Sequence, residues 1–237
     1  MTVTLDYPLC VLPPRSVSLT VDYNTRPGQQ ATNGMRRSVG MSGAQFRLTL
    51  KDIYLNSVTK VRTMRGFLAN LEADSQLVRI RLPDMYGIDG PWSIATKANR
   101  QAWPLGIPFA TDVLFSTGVG FAVPTLEATF AGAAALNARQ IYVSAESELP
   151  GGCAVSINEF CYMIAGSWTE DDGSNRLKLS PVLRQDASQG DTVSLAPIFV
   201  GTCTTTTPGS EELDLGKRGA ITLEFVEDLT RLVESVD

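Results

Sequence analysis

The sequence predicts a mainly β (α+β) fold, an antiparallel β-sandwich or barrel with one prominent amphipathic helix between two strands. Polar and apolar residues alternate from Gln45 to Ile53, as in a half-buried strand. Apolar residues then recur every three or four positions from Val58 to Leu71, and a second apolar strand runs from Leu77 to Leu82. Short alternating segments separated by turn residues fill the last third of the chain. With 237 residues the chain can bury a sizeable core.

The predicted helix has a defined beginning and an apolar face. Asn56 or Ser57 is the expected N-cap, because either side chain can accept a hydrogen bond from a backbone N–H of the first turn. The strand before the helix is expected to bury Phe46, Leu48, Leu50 and Ile53 on one face. The expected buried face of the helix consists of Val58, Val61, Met64, Phe67, Leu68 and Leu71.

Residues 1–84 are expected to form an N-terminal arm followed by this strand–helix–strand part. Pro8, Pro13 and Pro14 favour an extended arm over residues 1–15, and alternation from Val17 to Tyr23 predicts a strand. The segment from Asn24 to Gly43 is rich in Gly, Asn, Gln and Arg and is interpreted as a loop. Because a loop of about 20 residues is long for a compact domain, it is either a mobile surface loop or a subunit contact.

Residues 85–149 are expected to form an irregular insertion rich in Gly, Pro, Trp and Ala. Trp92 and Trp103 each stand beside a proline, and they either anchor a core or, if exposed in a loop, mark an interface. The candidate subunit-interface residues of the whole chain are Arg26, Gln29, Arg36, Arg37, Trp92 and Trp103.

Residues 150–237 are expected to be β-rich and to complete the domain that the first 84 residues begin. Glu170-Asp171-Asp172-Gly173 predicts a hairpin turn, and Pro181 is expected to end the strand that follows it. Strands are predicted over 140–144, 154–164, 176–181, 192–195 and 220–226.

Composition lowers the odds of an enzyme. Histidine is absent, which removes the commonest general base and the commonest zinc ligand. We expect no catalytic residue, no metal and no cofactor. The four cysteines are widely spaced and are expected to be buried, reduced thiols: Cys10, Cys153, Cys161 and Cys203.

The sequence also predicts no membrane span. Apolar runs stop well short of the roughly 18 residues that a span needs, and mean hydropathy is close to zero. The segment from Met1 to Asp6 lacks the basic and then apolar pattern of a signal peptide, so we expect no secretion by the usual route.

Charge is unevenly distributed along the chain. Residues 1–65 hold nine Lys/Arg against three Asp/Glu, whereas residues 146–237 hold six against sixteen. This gradient is either an uneven solvated surface or a device by which one end of a subunit attracts the opposite end of a neighbour. Arg36-Arg37 is only a pair, and the acidic last third would repel phosphates, so we expect no nucleic acid partner.

Two other functional classes stay open. A carbohydrate-binding module would use exposed Trp92, Trp103 or Trp168 as stacking platforms, and burial of all three would count against it. A hydrolase could use paired carboxylates, either Glu146 with Glu148 or Asp171 with Asp172, but acidic residues in turns are usually solvated charges.

The order of several motifs resembles a family of structural proteins in tailed-bacteriophage virions, the minor tail or distal-tail-like (Dit-like) proteins. The resemblance covers roughly residues 15–84 and 150–228. The motifs that carry it are Gly28-Gln29-Gln30, Phe46–Leu50, Phe67–Leu71, Leu82-Pro83-Asp84, Leu179–Arg184, Gly190–Val193 and Ile221–Glu227.

This resemblance implies a β-sandwich or barrel whose copies form a homo-oligomeric ring, most often a hexamer. Such a ring joins the tail tube to the baseplate or the tail tip, so the implied partners are further copies of the chain, the tail tube and the tip or hub proteins. The implied location is the virion tail, assembled in the host cytoplasm. A head–tail connector protein is the nearest structural alternative.

Overall fold

The computed structural model describes residues 4–30, 36–71, 76–82, 127–145, 149–204 and 219–229, without the side chains of 24–30 and 36–43. Within these ranges most of the chain is in strands and there is one helix, so the expected mainly β fold with a helix between two strands is confirmed. The helix is α1 (Val58–Asn70). The strands are β1 (Thr4–Asp6), β2 (Ser16–Gln30), β3 (Arg36–Tyr54), β4 (Leu77–Arg81), β5 (Glu127–Phe130), β6 (Gln140–Ser144), β7 (Ala154–Ile157), β8 (Phe160–Thr169), β9 (Asn175–Ser180), β10 (Thr192–Ser194), β11 (Ile198–Cys203) and β12 (Ala220–Glu227).

The strands form an open six-stranded sheet and a closed six-stranded barrel. The sheet has the order β1-β4-β11-β12-β3-β2, and the barrel has the order β10-β5-β6-β9-β8-β7. The barrel strands therefore lie in the sequence between β4 and β11 of the sheet. The barrel takes β5 and β6 from the middle segment (85–149) and β7 to β10 from the last segment (150–237), so the expected boundary between these segments falls inside the barrel.

A β-bulge in β3 shifts the alternation of buried and exposed positions by one residue. Phe46, Leu48 and Leu50 are buried, and so is Ile53, three residues further on. The register against β12 shifts between Leu50 and Ile53, and Asp52 has a φ of +54° there. The extra residue re-aims the strand so that Ile53 also faces the core.

Helix α1 packs on the same core as β3. The Ser57 side chain caps the helix by accepting a hydrogen bond from the Lys60 backbone N–H at 3.3 Å. Met64 and Phe67 are buried as expected, but Val58 is 59% exposed, so its assignment to the buried face is wrong. Val58 is the first residue of the helix, so it lies at the end of the apolar stripe.

The N-terminal segment is anchored rather than free. Strand β1 pairs in parallel with β4, with Leu5 opposite Val78. The buried Tyr7 packs edge-on against Phe67, with ring centroids 5.3 Å apart, and donates a hydrogen bond to the Leu12 carbonyl at 2.7 Å.

The prediction of a loop from Asn24 to Gly43 is wrong over its described residues. They continue β2 and β3 as a hairpin, with Arg26 opposite Val39 and Gln30 opposite Arg36. The register shifts twice along this part of the hairpin. The sequence pattern missed the hairpin because few apolar residues alternate there, and backbone pairing needs no such alternation.

A second hairpin divides the strand that was predicted over 154–164. Asn158 and Glu159 have φ values of +49° and +63°, which make a two-residue turn between β7 and β8. Ile157 pairs with Phe160 across the turn, so the predicted core residues still face one side. All five are buried: Val155, Ile157, Phe160, Tyr162 and Ile164.

All four cysteines are free thiols. Three of them are buried as expected, but Cys10 is exposed.

In the part of the chain that the structure describes, no helix is long and apolar enough to cross a membrane.

Two glycine-to-alanine changes should alter stability in opposite directions. In β11, a Cβ on Gly201 would clash with the Val226 carbonyl oxygen and lie 2.8 Å from the Phe199 ring, so Gly201→Ala should lower the free energy of unfolding by about 1–3 kcal/mol. In α1, a Cβ on Gly66 meets nothing within 4 Å, so Gly66→Ala should raise it by about 0.5–1 kcal/mol. Urea denaturation of both variants measures the two values, and a change of the same sign in both would contradict this packing.

Candidate functional site

Four of the six candidate interface residues lie on the outer part of the β2–β3 hairpin. Arg26 and Gln29 belong to β2, and Arg36 and Arg37 belong to β3. Their side chains lie outside the described residues, as do Trp92 and Trp103 altogether. The structure therefore places four of the six candidates on one hairpin, and their role in a subunit interface stays a prediction.

This part of the hairpin continues past the rest of the sheet. Strand β12 pairs with β3 only from Arg47 to Tyr54. Within the described ranges, residues 24–30 and 36–43 form a ladder with each other and with no third strand. We call these two stretches the β-arm.

A buried ion pair joins the sheet to the barrel. Arg184, which follows the barrel strand β9, contacts Glu227 at the end of sheet strand β12. The exposed fractions of the two side chains are 6% and 1%. Glu227 also accepts a hydrogen bond from the Phe46 backbone N–H at 3.0 Å, and Arg184 donates one to the Ala44 carbonyl at 2.9 Å. Both charges are thus paired and hydrogen-bonded, which is the condition for burying them.

Aromatic residues of the barrel enclose the same arginine. The Arg184 guanidinium carbon lies 5.5 Å from the Phe160 ring centroid and 5.8 Å from that of Tyr162. The Tyr162 hydroxyl accepts a hydrogen bond from the Arg184 backbone N–H at 3.1 Å. Burial raises the pKa of Tyr162 to about 12, and burial also raises the pKa of the neighbouring Cys161 thiol. Both groups therefore stay protonated at neutral pH.

Two polar contacts connect the units elsewhere. Ser156 of β7 donates to the Ile198 carbonyl at 3.0 Å and accepts from the Ile198 N–H at 2.7 Å. Arg79 of β4 contacts Asp6 of β1 at 2.6 Å and reaches Glu159, in the β7–β8 turn of the barrel, at 3.2 Å. The hydrogen bond from Arg79 holds the pKa of Asp6 below its usual value.

An exposed row of side chains crosses the outer face of the barrel. Tyr142 of β6 pairs with Arg176 of β9, which pairs in turn with Trp168 of β8. The exposed fractions are 43% for Tyr142 and 45% for Trp168. The Arg176 guanidinium carbon lies 5.2 Å from the Trp168 ring centroid, and its Nε atom lies 3.0 Å from Glu170 Oε1. We call Tyr142, Arg176 and Trp168 the aromatic row.

A cleft of about 220 Å³ lies beside this row, where the barrel meets the sheet. Its polar groups include Arg139 and Lys178, and the Tyr23 hydroxyl lies 2.6 Å from Ser180 Oγ. The residues that line this junction cleft are Tyr23, Ala44, Arg139, Ala165, Lys178, Leu179, Ser180, Pro181 and Val182.

The paired carboxylates do not form a shielded pair in the described residues. Asp171 and Asp172 lie in the predicted turn between β8 and β9, and both are exposed. Hydrogen bonds from Ser174 hold the pKa of Asp172 below its usual range, which keeps it ionised. Glu146 and Glu148 lie outside the described residues. Among the residues that are described, no group of three or more Cys, Asp or Glu is arranged to hold a metal ion.

Sequence comparison assigns the chain to no family. A comparison with protein-family models found no match, and a comparison with curated proteins found none.

Breaking the buried pair should be far more costly than breaking an exposed one. Glu227→Gln leaves a buried guanidinium without its counter-charge, so the free energy of unfolding should fall by about 3–5 kcal/mol. The matched control is Asp22→Asn, which breaks the exposed Arg47–Asp22 pair and should cost less than about 1 kcal/mol. Chemical denaturation measures both values. Equal losses would show that Arg184 and Glu227 do not act as a buried pair.

The Arg79–Asp6 contact should make β1 sensitive to acid. The pKa of Asp6 is lowered in the folded state, so its contribution is complete above its unfolded value near 3.8 and is lost as pH falls through the folded pKa. NMR titration of the Asp6 carboxyl should give a pKa below 3.8, and Arg79→Gln should raise it. An Asp6 pKa that does not respond to Arg79→Gln would contradict the contact.

Proposed function

We propose that this protein is a structural subunit of a bacteriophage tail, a distal-tail or tail-tip ring protein that joins the tail tube to the baseplate or tip. The order of motifs that resembles the distal-tail-like family supports this proposal. The structural observation that carries it is the β-arm, which extends past the sheet and bears four of the candidate interface residues.

The β-arm has the properties of a segment that packs on a neighbour. A two-stranded hairpin alone is marginally stable in water, so contact with another subunit would stabilise it. Its arginines, Arg26, Arg36 and Arg37, give it positive charge, whereas residues 146–237 hold six Lys/Arg against sixteen Asp/Glu. A basic arm on one copy and an acidic surface on the next make a head-to-tail contact, which closes into a ring when the rotation allows it.

The open sheet supplies a second contact. In the described residues, β2 forms one edge of the sheet and is 15 residues long, while the other edge is the three-residue β1. A long edge strand exposes backbone N–H and C=O groups that can pair with a strand of another chain. Edge pairing through β2 would place the β-arm, which continues the same strand, against the neighbouring subunit.

The nearest alternative is a head–tail connector, which is also a ring of identical subunits. The two positions differ in their partners, because a distal-tail ring contacts the tail tube and a connector contacts the head. Co-sedimentation with purified tail tubes is therefore expected for the protein, and binding to heads alone would favour the connector.

The purified chain should form a closed oligomer whose stability depends on salt. Light scattering at low and high salt should give the mass of a hexamer, with partial dissociation at high salt because screening weakens the contact between the basic and acidic surfaces. Electron microscopy of the low-salt sample should show rings with an open centre.

Charge reversal on the β-arm should disrupt this oligomer. Arg36→Glu with Arg37→Glu should give monomers at low salt. The matched control, Lys60→Glu with Arg62→Glu on helix α1, makes the same change in net charge and should leave the ring intact. A chain that stays monomeric at every salt and protein concentration would contradict a self-assembling ring.

A further inference from the structure

We propose that the outer face of the barrel binds an anionic polysaccharide, with sugar rings stacked on the aromatic row and one sugar unit in the junction cleft. The aromatic row lies outside the β-arm, and the cleft adjoins the base of the β-arm through Tyr23 and Ala44. It rests on three features of the described residues: the exposed aromatic row, an adjoining cleft the size of one sugar ring, and two cations, Arg139 and Lys178, that line this cleft.

The Trp168 side chain lies against Gly166 of its own strand. A Cβ built on Gly166, two residues earlier on the same face of β8, would lie 2.8 Å from Trp168 Cη2 and 3.3 Å from Cζ3. The six-membered ring therefore lies directly over Gly166, where only a glycine leaves room for it. Trp168 keeps 45% of its surface exposed although the Arg176 guanidinium carbon lies 5.2 Å from its ring centroid. The C–H-rich face of a pyranose stacks on such a surface.

Tyr142 gives the platform a second contact point. It lies two strands away from Trp168, a distance of about 10 Å because neighbouring strands are about 4.8 Å apart. Arg176 stands between the two aromatic residues in strand register and contacts Trp168 and Glu170. A ligand that spans the row must be an extended chain with more than one ring.

The charge of the junction cleft selects an anionic ligand. Arg139 and Lys178 line the cleft and no carboxylate is among its described lining residues, whereas Glu170, Asp171 and Asp172 lie in the β8–β9 turn on the other side of the aromatic row. Lys178 lies two residues from Arg176 on the same face of β9 and also lines the junction cleft, so it connects the two parts of the surface. Carboxylate or phosphate groups on a sugar chain would pair with these cations.

The size of the cleft fits one sugar unit. Its volume of about 220 Å³ is below the roughly 300–1,000 Å³ of pockets that enclose drug-sized ligands. The cleft combines apolar walls, such as Ala165 and Leu179, with the hydroxyls of Tyr23 and Ser180. This combination suits a ring that is apolar on its faces and polar at its edges.

A single-stranded nucleic acid fits the surface less well. Proteins that track a phosphate backbone make many cationic contacts, whereas three cations face this surface and one of them is paired with Glu170. The net charge of −5 on the whole chain also opposes binding of a polyanion as dense as nucleic acid.

The test measures binding of the full-length chain to defined probes by isothermal titration calorimetry. The anionic probes are oligogalacturonate, oligoalginate, hyaluronan and heparin oligosaccharides, and wall teichoic acid. Maltohexaose is the neutral probe and a thymidine dodecanucleotide is the nucleic acid probe. At least one anionic saccharide should bind, and its addition should shift the indole N–H resonance of Trp168, which Trp168→Phe identifies.

Variants of the aromatic row should weaken this binding. Trp168→Ala and Tyr142→Ala should each reduce affinity about tenfold, the loss of one stacking contact. Glu170→Gln should increase affinity severalfold, since it removes the carboxylate that contacts Arg176, and Lys178→Gln should reduce it. The matched control is Tyr54→Ala, an equally exposed aromatic (46%) on the sheet that also contacts an arginine, and it should bind normally.

Several results would overturn the proposal. These are no binding to any anionic saccharide by folded protein, binding that Trp168→Ala and Tyr142→Ala leave unchanged, equal binding of maltohexaose, or binding of the oligonucleotide alone. Light scattering of Trp168→Ala shows whether the oligomer is intact, so failure of saccharide binding and failure of the ring are distinguished.

Discussion

The arrangement of the two units depends on one buried charge pair. Arg184 comes from the barrel and Glu227 from the last strand of the sheet, and each is held by backbone groups around the beginning of the buried part of β3. A movement that separates the units would leave each charge without its partner, and an unpaired buried charge is strongly unfavourable. The pair therefore favours the orientation of the barrel in which both charges stay paired.

The buried ion pair matters because the barrel is an insertion in the chain that forms the sheet. The barrel is inserted between β4 and β11, and an inserted unit joined by two connections could pivot on the sheet. The contacts of Ser156 with Ile198 and of Arg79 with Glu159 support the orientation set by Arg184. Because the units are fixed, the β-arm of the sheet and the aromatic row of the barrel keep a constant relation to each other. A ring of such subunits would present both features in a regular repeat.

The sequence was informative where an element buries one face against a core. The alternation of Phe46, Leu48 and Leu50 and the spacing of Met64 and Phe67 identified β3 and α1, because burial imposes a period that the residues record. The outer hairpin carries no such period, so it was mistaken for a loop. Four of the six candidate interface residues lie on this hairpin, and their role in a subunit contact stays a prediction.

What the sequence alone determined is the secondary-structure class, the helix cap and most of the core, since these follow from local periodicity and residue chemistry. Tertiary structure decided which strands pair, how the chain divides between sheet and barrel, and which distant side chains meet. Arg184 and Glu227 are 43 residues apart, and no local pattern marks either as a partner of the other. The same is true of Tyr142, Arg176 and Trp168, which strand register alone brings into one row. Long-range contacts depend on how distant strands pack against one another, and local residue patterns carry no information about that packing.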